Sequence, residues 1–155
     1  MILRTSWLYS EYGGNFVKTM LKLGKEKDEI GVVNDQIGSP TYANDLAKAI
    51  LSIVNGKKYQ NQDSQTEIYH YSNKGEISWH DFAKEIFKLT KINCKVSAVT
   101  TGQYPTLAKR PKNTSLNKGK IMAAFDLEIE DWRCSLGRYI MRTTHEIDNR
   151  NSRPE

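Results

Sequence analysis

Ile2-Leu3-Arg4-Thr5-Ser6-Trp7-Leu8-Tyr9 opens the chain as a strand, with no polar arm ahead of it. A strand that starts at residue 2 needs a neighbour, because an unpaired edge leaves a row of N–H and C=O groups open to another chain. The stretch is therefore expected to be a late strand of a longer fold. Gly13-Gly14 turns the chain, and Asn15 can cap a helix from Phe16 to about Glu26. Phe16, Val17, Met20, Leu21 and Leu23 supply that helix with an apolar face.

Outward from there, strands and helices alternate. Glu29 to Asn34 reads as a short strand, and Asp35 to Thr41 as a polar loop. Asp45 to Val54 reads as an amphipathic helix, with Leu46, Ala47, Ile50, Leu51 and Val54 at helical spacing. Lys57 to Thr66 is a polar connection, and Glu67 to Ser72 alternates as a strand. Ser78-Trp79-His80-Asp81 has the form of a capping box, with Asp81 in the place of the usual Glu. It opens a helix lined by Phe82, Ala83, Ile86, Phe87 and Leu89, and Cys94 to Val99 follows as a strand. Asn117 to Phe125 reads as a short helix. Asp131 caps a last helix with Trp132, Leu136, Tyr139 and Ile140 facing inward. The alternation gives the class α/β, or mixed α+β. From Thr143 the charges and the Asn, Ser and Pro residues predict a frayed tail, 143–155.

The 155 residues suffice for one domain with a real core. The net charge of +5 is modest and spread along the chain, apart from the Lys109–Lys120 region. That favours a small anionic ligand and argues against nucleic acid, which asks for a broader basic track. Cys94 and Cys134 match no metal spacing and read as small core residues in a reducing compartment. No run of about 18 apolar residues and no signal-peptide pattern is present, which predicts a soluble, cytoplasmic protein without a membrane partner.

One loop has a composition that no core requires. Lys109-Arg110-Pro111-Lys112-Asn113-Thr114-Ser115-Leu116, preceded by Tyr104-Pro105-Thr106, mixes cations, prolines, hydroxyls and amides. Pro105 and Pro111 fix φ and remove donors, so the loop is stiff. Arg110 offers a planar fork that matches two oxygens of a phosphate or carboxylate. The competing reading is an ordinary solvated surface loop. Three further polar clusters stand out. Arg4-Thr5-Ser6-Trp7 closes the first strand, where ligands of open α/β sheets sit. Trp7 there is either a wall for a ring or a core residue. Asn15-Phe16 starts a helix, whose free N–H groups attract anions or are merely capped. The third is Asp35-Gln36 with Gly38-Ser39-Pro40-Thr41.

Self-contained chemistry is missing. The ten glycines form neither G-x-x-G-x-x-G nor G-x-G-x-x-G, and no Tyr is followed four residues later by Lys. His70, His80 and His145 stand apart from one another and from any Cys. No catalytic residue and no metal ligand is assigned.

The landmarks Arg4–Tyr9, Asn15–Leu21, Asp35–Thr41, Tyr104–Thr106, Arg110-Pro111, Asn113–Asn117 and Asp131-Trp132 together resemble the dTDP-4-dehydrorhamnose reductases, in order and to about Arg142. These are extended short-chain dehydrogenases that reduce a 4-keto sugar nucleotide with NADPH or NADH. The resemblance implies a sugar-nucleotide-binding domain, 1–142, carrying the last strands of an NAD(P)-binding Rossmann fold whose N-terminal core is not in this chain. The implied partner is a dTDP-sugar. By position, Trp7 resembles the aromatic wall beside the hexose. Asn15, Gln36 and Arg110 would meet the nucleotide or its diphosphate, as would Tyr104 and Asn113. Thr5 and Ser6 would approach the nicotinamide. Alone, the chain is expected to bind no cofactor and to be inactive. Some members hold Mg²⁺ at a dimer interface through a Glu whose place is taken here by Asn44, a poor Mg²⁺ ligand, so a metal-linked dimer is not expected. A homodimer through the first strand stays open. The alternative is a non-catalytic interaction module of the same fold, as in the regulatory subunit of methionine adenosyltransferase; binding of dTDP separates the two.

Overall fold

The computed structural model describes residues 1–56, 66–104, 108 and 110–151, from 145 onward as backbone only. Among the described residues thirteen elements follow one another: β1 (Ile2–Thr5), β2 (Leu8–Tyr9), α1 (Phe16–Glu26), β3 (Glu29–Val33), β4 (Ile37–Gly38), β5 (Thr41–Tyr42), α2 (Ala43–Gly56), β6 (Ile68–Tyr71), β7 (Ile77–Ser78), α3 (Trp79–Thr90), β8 (Lys95–Val99), α4 (Gly119–Phe125) and α5 (Trp132–Asn151). The class is mixed α/β. Most of the expected polar connection, 57–65, lies outside the described residues, as do Pro105, Thr106 and Lys109 of the central loop.

Strand pairing is mainly parallel. β1 pairs with β6, β2 with β5 and β3 with β8, while β4 and β7 run antiparallel. Parallel strands need long crossovers, and helices supply them here. On β6, Tyr69 and Tyr71 point into the core while Ile68 stays partly exposed, which is the period-2 alternation of a strand.

Two hydrophobic clusters result. The larger joins Tyr9, Val17, Met20, Ile30, Val32, Phe82, Ile86, Trp132, Leu136 and Tyr139, so it lies between α1, α3, α5 and strands β2 and β3. The smaller joins Ala49, Ile53, Tyr69, Tyr71, Ile121, Phe125 and Ile129, between α2, α4 and β6. Between them runs a polar network. The Asp45 carboxylate accepts from Asn73 Nδ2 at 3.0 Å, from Ser135 Oγ at 2.6 Å and from Arg138. Asn73 Oδ1 in turn accepts from the Tyr42 N–H at 2.9 Å.

Five details depart from the sequence reading. The opening strand is two strands, broken at Trp7, whose φ of 47° places a bulky residue in the left-handed region. The loop 35–41 holds β4 and the start of β5, because its backbone finds partners in β7 and β2. On α2 the buried stripe is Asp45, Ala49 and Ile53, whereas Ile50, Leu51 and Val54 are exposed. That helix carries two apolar stripes, and the packing uses the one that places Asp45 beside Arg138. Cys134 is exposed, since it points away from the face formed by Trp132, Leu136 and Tyr139. Finally, α5 continues past Thr143 to Asn151, while 152–155 of the expected tail lie outside the described residues. Thr143 and Thr144 donate their hydroxyls to the carbonyls of Tyr139 and Ile140, at 3.0 and 2.9 Å, and no Gly or Pro interrupts the turns that follow.

Candidate functional site

A cavity of about 670 Å³ opens beside the end of β1. Three elements shape its apolar side. Helix α1 contributes Phe16, Met20 and Leu23, and β3 contributes Ile30 and Val32. Helix α1 starts where it does because Asn15 Oδ1 accepts from the Lys18 N–H at 3.1 Å. Its amide end is also engaged, donating to the Ser10 carbonyl at 2.8 Å. Two indoles complete this side. Trp7 and Trp79 stack with ring centroids 3.4 Å apart and planes within 7°, and Phe16 leans on Trp79 at 4.4 Å. Trp79 owes its place to Ser78, whose hydroxyl accepts from the Asp81 N–H at 3.0 Å and so makes Trp79 the first helical residue of α3.

The polar side is built by the residue after β1, by the loop that follows β3 and by the segment before α4. Ser6, Gln36, Tyr104, Arg110 and Thr114 reach the wall. Asp35 braces this rim by accepting from both the N–H and the hydroxyl of Thr101, at 2.9 and 2.7 Å. The Thr101 hydroxyl holds the Asp35 carboxyl below its ordinary pKa, with the backbone bond and Lys112 adding to the shift against some desolvation. Gln36 Nε2 donates to Thr101 Oγ1 at 3.1 Å, so the same threonine fixes both side chains. Arg110 is exposed, and among the described residues it has no hydrogen-bond or ion-pair partner. A guanidinium at the rim of an aromatic cavity is free to take an anion from solvent, with the rings beneath to hold an apolar or flat group.

Of the residues singled out from sequence, Ser6, Trp7, Gln36, Tyr104 and Arg110 meet at this cavity. Three do not line it. Thr5 Oγ1 donates to Thr41 Oγ1 at 3.4 Å. Asn15 caps α1, and Asn113 accepts from the Ser115 N–H at 2.8 Å. Asn44 lies in the first turn of α2. Phe16 and Thr114 also line the wall, from the Asn15-Phe16 cluster and the Lys109–Leu116 loop, although neither is singled out there as a site residue, and Trp79, which the sequence offers only as a helix start, joins them. The nearest signal was Ser78-Trp79, an aromatic fixed by a cap at a helix entrance.

Comparison with known proteins first sets the class. The fold recurs in a UDP-galactose 4-epimerase of solved structure, with a TM-score of 0.70 at 14% identity over 93% of this chain and 45% of that one, a likeness of fold alone. The particular family is narrower: the profile described as the RmlD substrate binding domain matches residues 1–145, and the chain belongs to that family. It is 46% identical over 142 residues to a dTDP-4-dehydrorhamnose reductase of Aggregatibacter actinomycetemcomitans, covering 88% of this chain and 48% of the relative. The crystal structure of such a reductase from Clostridium acetobutylicum superposes with a TM-score of 0.83 at 42% identity, over 92% of this chain and 48% of that one. One from Bacillus anthracis, solved in complex with NADP, gives 0.80 at 42% over the same shares. The chain thus spans about half the length of the curated relatives it matches. Among the described residues no helix is long and apolar enough to cross a membrane.

Proposed function

We propose that this chain is the sugar-nucleotide-binding part of a dTDP-4-dehydrorhamnose reductase, which with a dinucleotide-binding part reduces dTDP-4-dehydro-L-rhamnose to dTDP-L-rhamnose. The observation that carries the reading is one cavity lined both by Arg110, unpaired among the described residues, and by the stacked Trp7–Trp79 pair. Arg110 takes the diphosphate, and the aromatic side receives the flat or apolar parts of the ligand. Gln36 and Tyr104 add hydrogen-bonding groups at the rim. Asn113 sits two residues beyond Pro111 and steadies the backbone there through Ser115. Asn15 serves the same end from a distance, by fixing the start of α1.

When bound, the nicotinamide cofactor, NADPH or NADH, supplies a hydride. From this chain only Thr5 and Ser6, at the carboxyl end of β1, would stand near it; the phosphate-cradling glycines and a Tyr-x-x-x-Lys pair are not in these 155 residues. The chain's own contribution is positioning, and orientation of a bound reactant can lower a barrier by about 7–11 kcal/mol.

Calorimetric titration of the chain with dTDP tests the reading. Wild type should bind, and Arg110→Ala should weaken binding about tenfold, the cost of one charge-assisted hydrogen-bonded contact. Equal affinity in the two proteins would remove Arg110 from the site. No binding to wild type would favour an interaction module instead.

A further inference from the structure

Trp7 is held in an unusual way. Its backbone is left-handed at φ 47°, a conformation a tryptophan adopts only when its surroundings enforce it. Three contacts do so. One is the Trp79 ring at 3.4 Å. The second is Gly38, packed so closely that a Cβ built there would come within 2.5 Å of Trp7 Cε2 and 2.6 Å of Thr114 Oγ1. The third is a hydrogen bond, Trp7 Nε1–H to Thr114 Oγ1 at 3.0 Å.

Thr114 is itself tied down. Its hydroxyl donates to the Ile37 carbonyl at 3.1 Å, and its N–H donates to the same carbonyl at 2.9 Å. The hydroxyl thus spends its one proton on β4 and its lone pair on the indole, so both groups are satisfied in one arrangement only. A chain of bonds runs from the backbone of β4 through Thr114 to the indole in the cavity wall.

We propose that Thr114 is a positioning residue: through Trp7 Nε1 it fixes the Trp7–Trp79 pair at one angle, so that the cavity offers its ligand an aromatic surface already in place. The ligand class rests on the reading under Proposed function, but the positioning does not. A wall that must be ordered on binding costs affinity, and a wall already ordered does not. Threonine or serine meets the need, because either can donate and accept at once. Valine has the same shape as threonine and neither capacity.

The test uses the ¹⁵N-labelled 155-residue chain, whose three tryptophans give three indole N–H signals. In wild type, the Trp7 indole proton should exchange with solvent at least tenfold more slowly than a free indole. In Thr114→Val that protection should be lost and dTDP should bind about tenfold more weakly, while the Trp132 signal, from the buried core, stays where it was. Thr114→Ser should restore both. A Thr114→Val protein that keeps protection and affinity overturns the proposal. If valine unfolds the chain, wild type and serine decide: an unprotected Trp7 N–H in wild type, or its loss in serine, is enough to reject it. If wild type binds no dTDP, the sugar-nucleotide reading fails, and the exchange rates still decide whether Thr114 holds the indole.

Discussion

Arg138 of α5 bonds both oxygens of the Asp45 carboxylate on α2, at 2.7 and 2.9 Å, across 93 residues of sequence. Asp45 is 8% exposed and also receives Asn73 and Ser135. Asp45→Ala removes the acceptor they share, leaving Asn73 and Ser135 longer bonds to the Glu130 and Asp131 carbonyls at 3.3 Å, and Arg138 its pair with Glu130. It should destabilise the fold by about 2–4 kcal/mol, below the upper range for buried pairs because Arg138 is partly solvated. Urea unfolding followed by circular dichroism measures this. Arg138→Ala should cost less, and a double-mutant cycle should return a coupling energy well above zero.

Gly24 sits where α1 crosses α3. A Cβ there would meet Phe87 Cε1 at 2.6 Å and Ile92 Cγ2 at 2.9 Å. On an exposed helix, Gly→Ala stabilises by about 1 kcal/mol. Here the clash with a buried ring outweighs that gain, so Gly24→Ala should lower stability by about 1–2 kcal/mol. A rise in the urea midpoint would show that Phe87 moves aside freely.

Alkali should unfold the chain through its tyrosines. Burial raises the pKa of Tyr42, Tyr71 and Tyr139 from 10.0 to about 12 each, with Glu11 acting in the same sense on Tyr42 and Tyr139. Burial raises Tyr9 still further. A folded chain that holds these protons more tightly than the unfolded chain is stabilised fully below about pH 10. That stabilisation is lost as the pH climbs from 10 toward 12. Melting temperature should therefore fall steeply above pH 10, and phenolate absorbance should rise in step with unfolding. Tyr139→Phe should flatten the alkaline limb.

The chain alone should not oxidise NADPH or NADH in the presence of dTDP-4-dehydro-L-rhamnose, since it supplies neither a dinucleotide turn nor a Tyr-x-x-x-Lys pair. Absorbance at the nicotinamide band should stay flat over hours. Turnover would mean that the reacting groups are to be sought in this half.

Local rules carried much of the fold. Asn15 and Ser78 cap the helices their sequence promised, and Trp132, Leu136, Tyr139 and Ile140 form the buried face of α5. Such features depend on neighbours three or four residues away, which a sequence displays. Other features depend on distant partners. The break at Trp7 is set by Trp79 and Thr114, 72 and 107 positions on. The stripe that α2 buries is chosen by Arg138, and nothing within α2 distinguishes Ile50 from Ile53. The cavity was half legible for the same reason: Arg110 and Trp7 advertise chemistry by type, while Phe16 and Trp79 look like any core aromatics until the chain is folded.

The seam of Asp45, Asn73, Ser135 and Arg138 divides the interior into two oily compartments. Amide exchange under native conditions should therefore sort into two families, one for α1 and α3 and one for α2 and α4, each opening with its own free energy. Asp45→Ala should spread the two families further apart, because the seam is what makes one compartment feel the melting of the other.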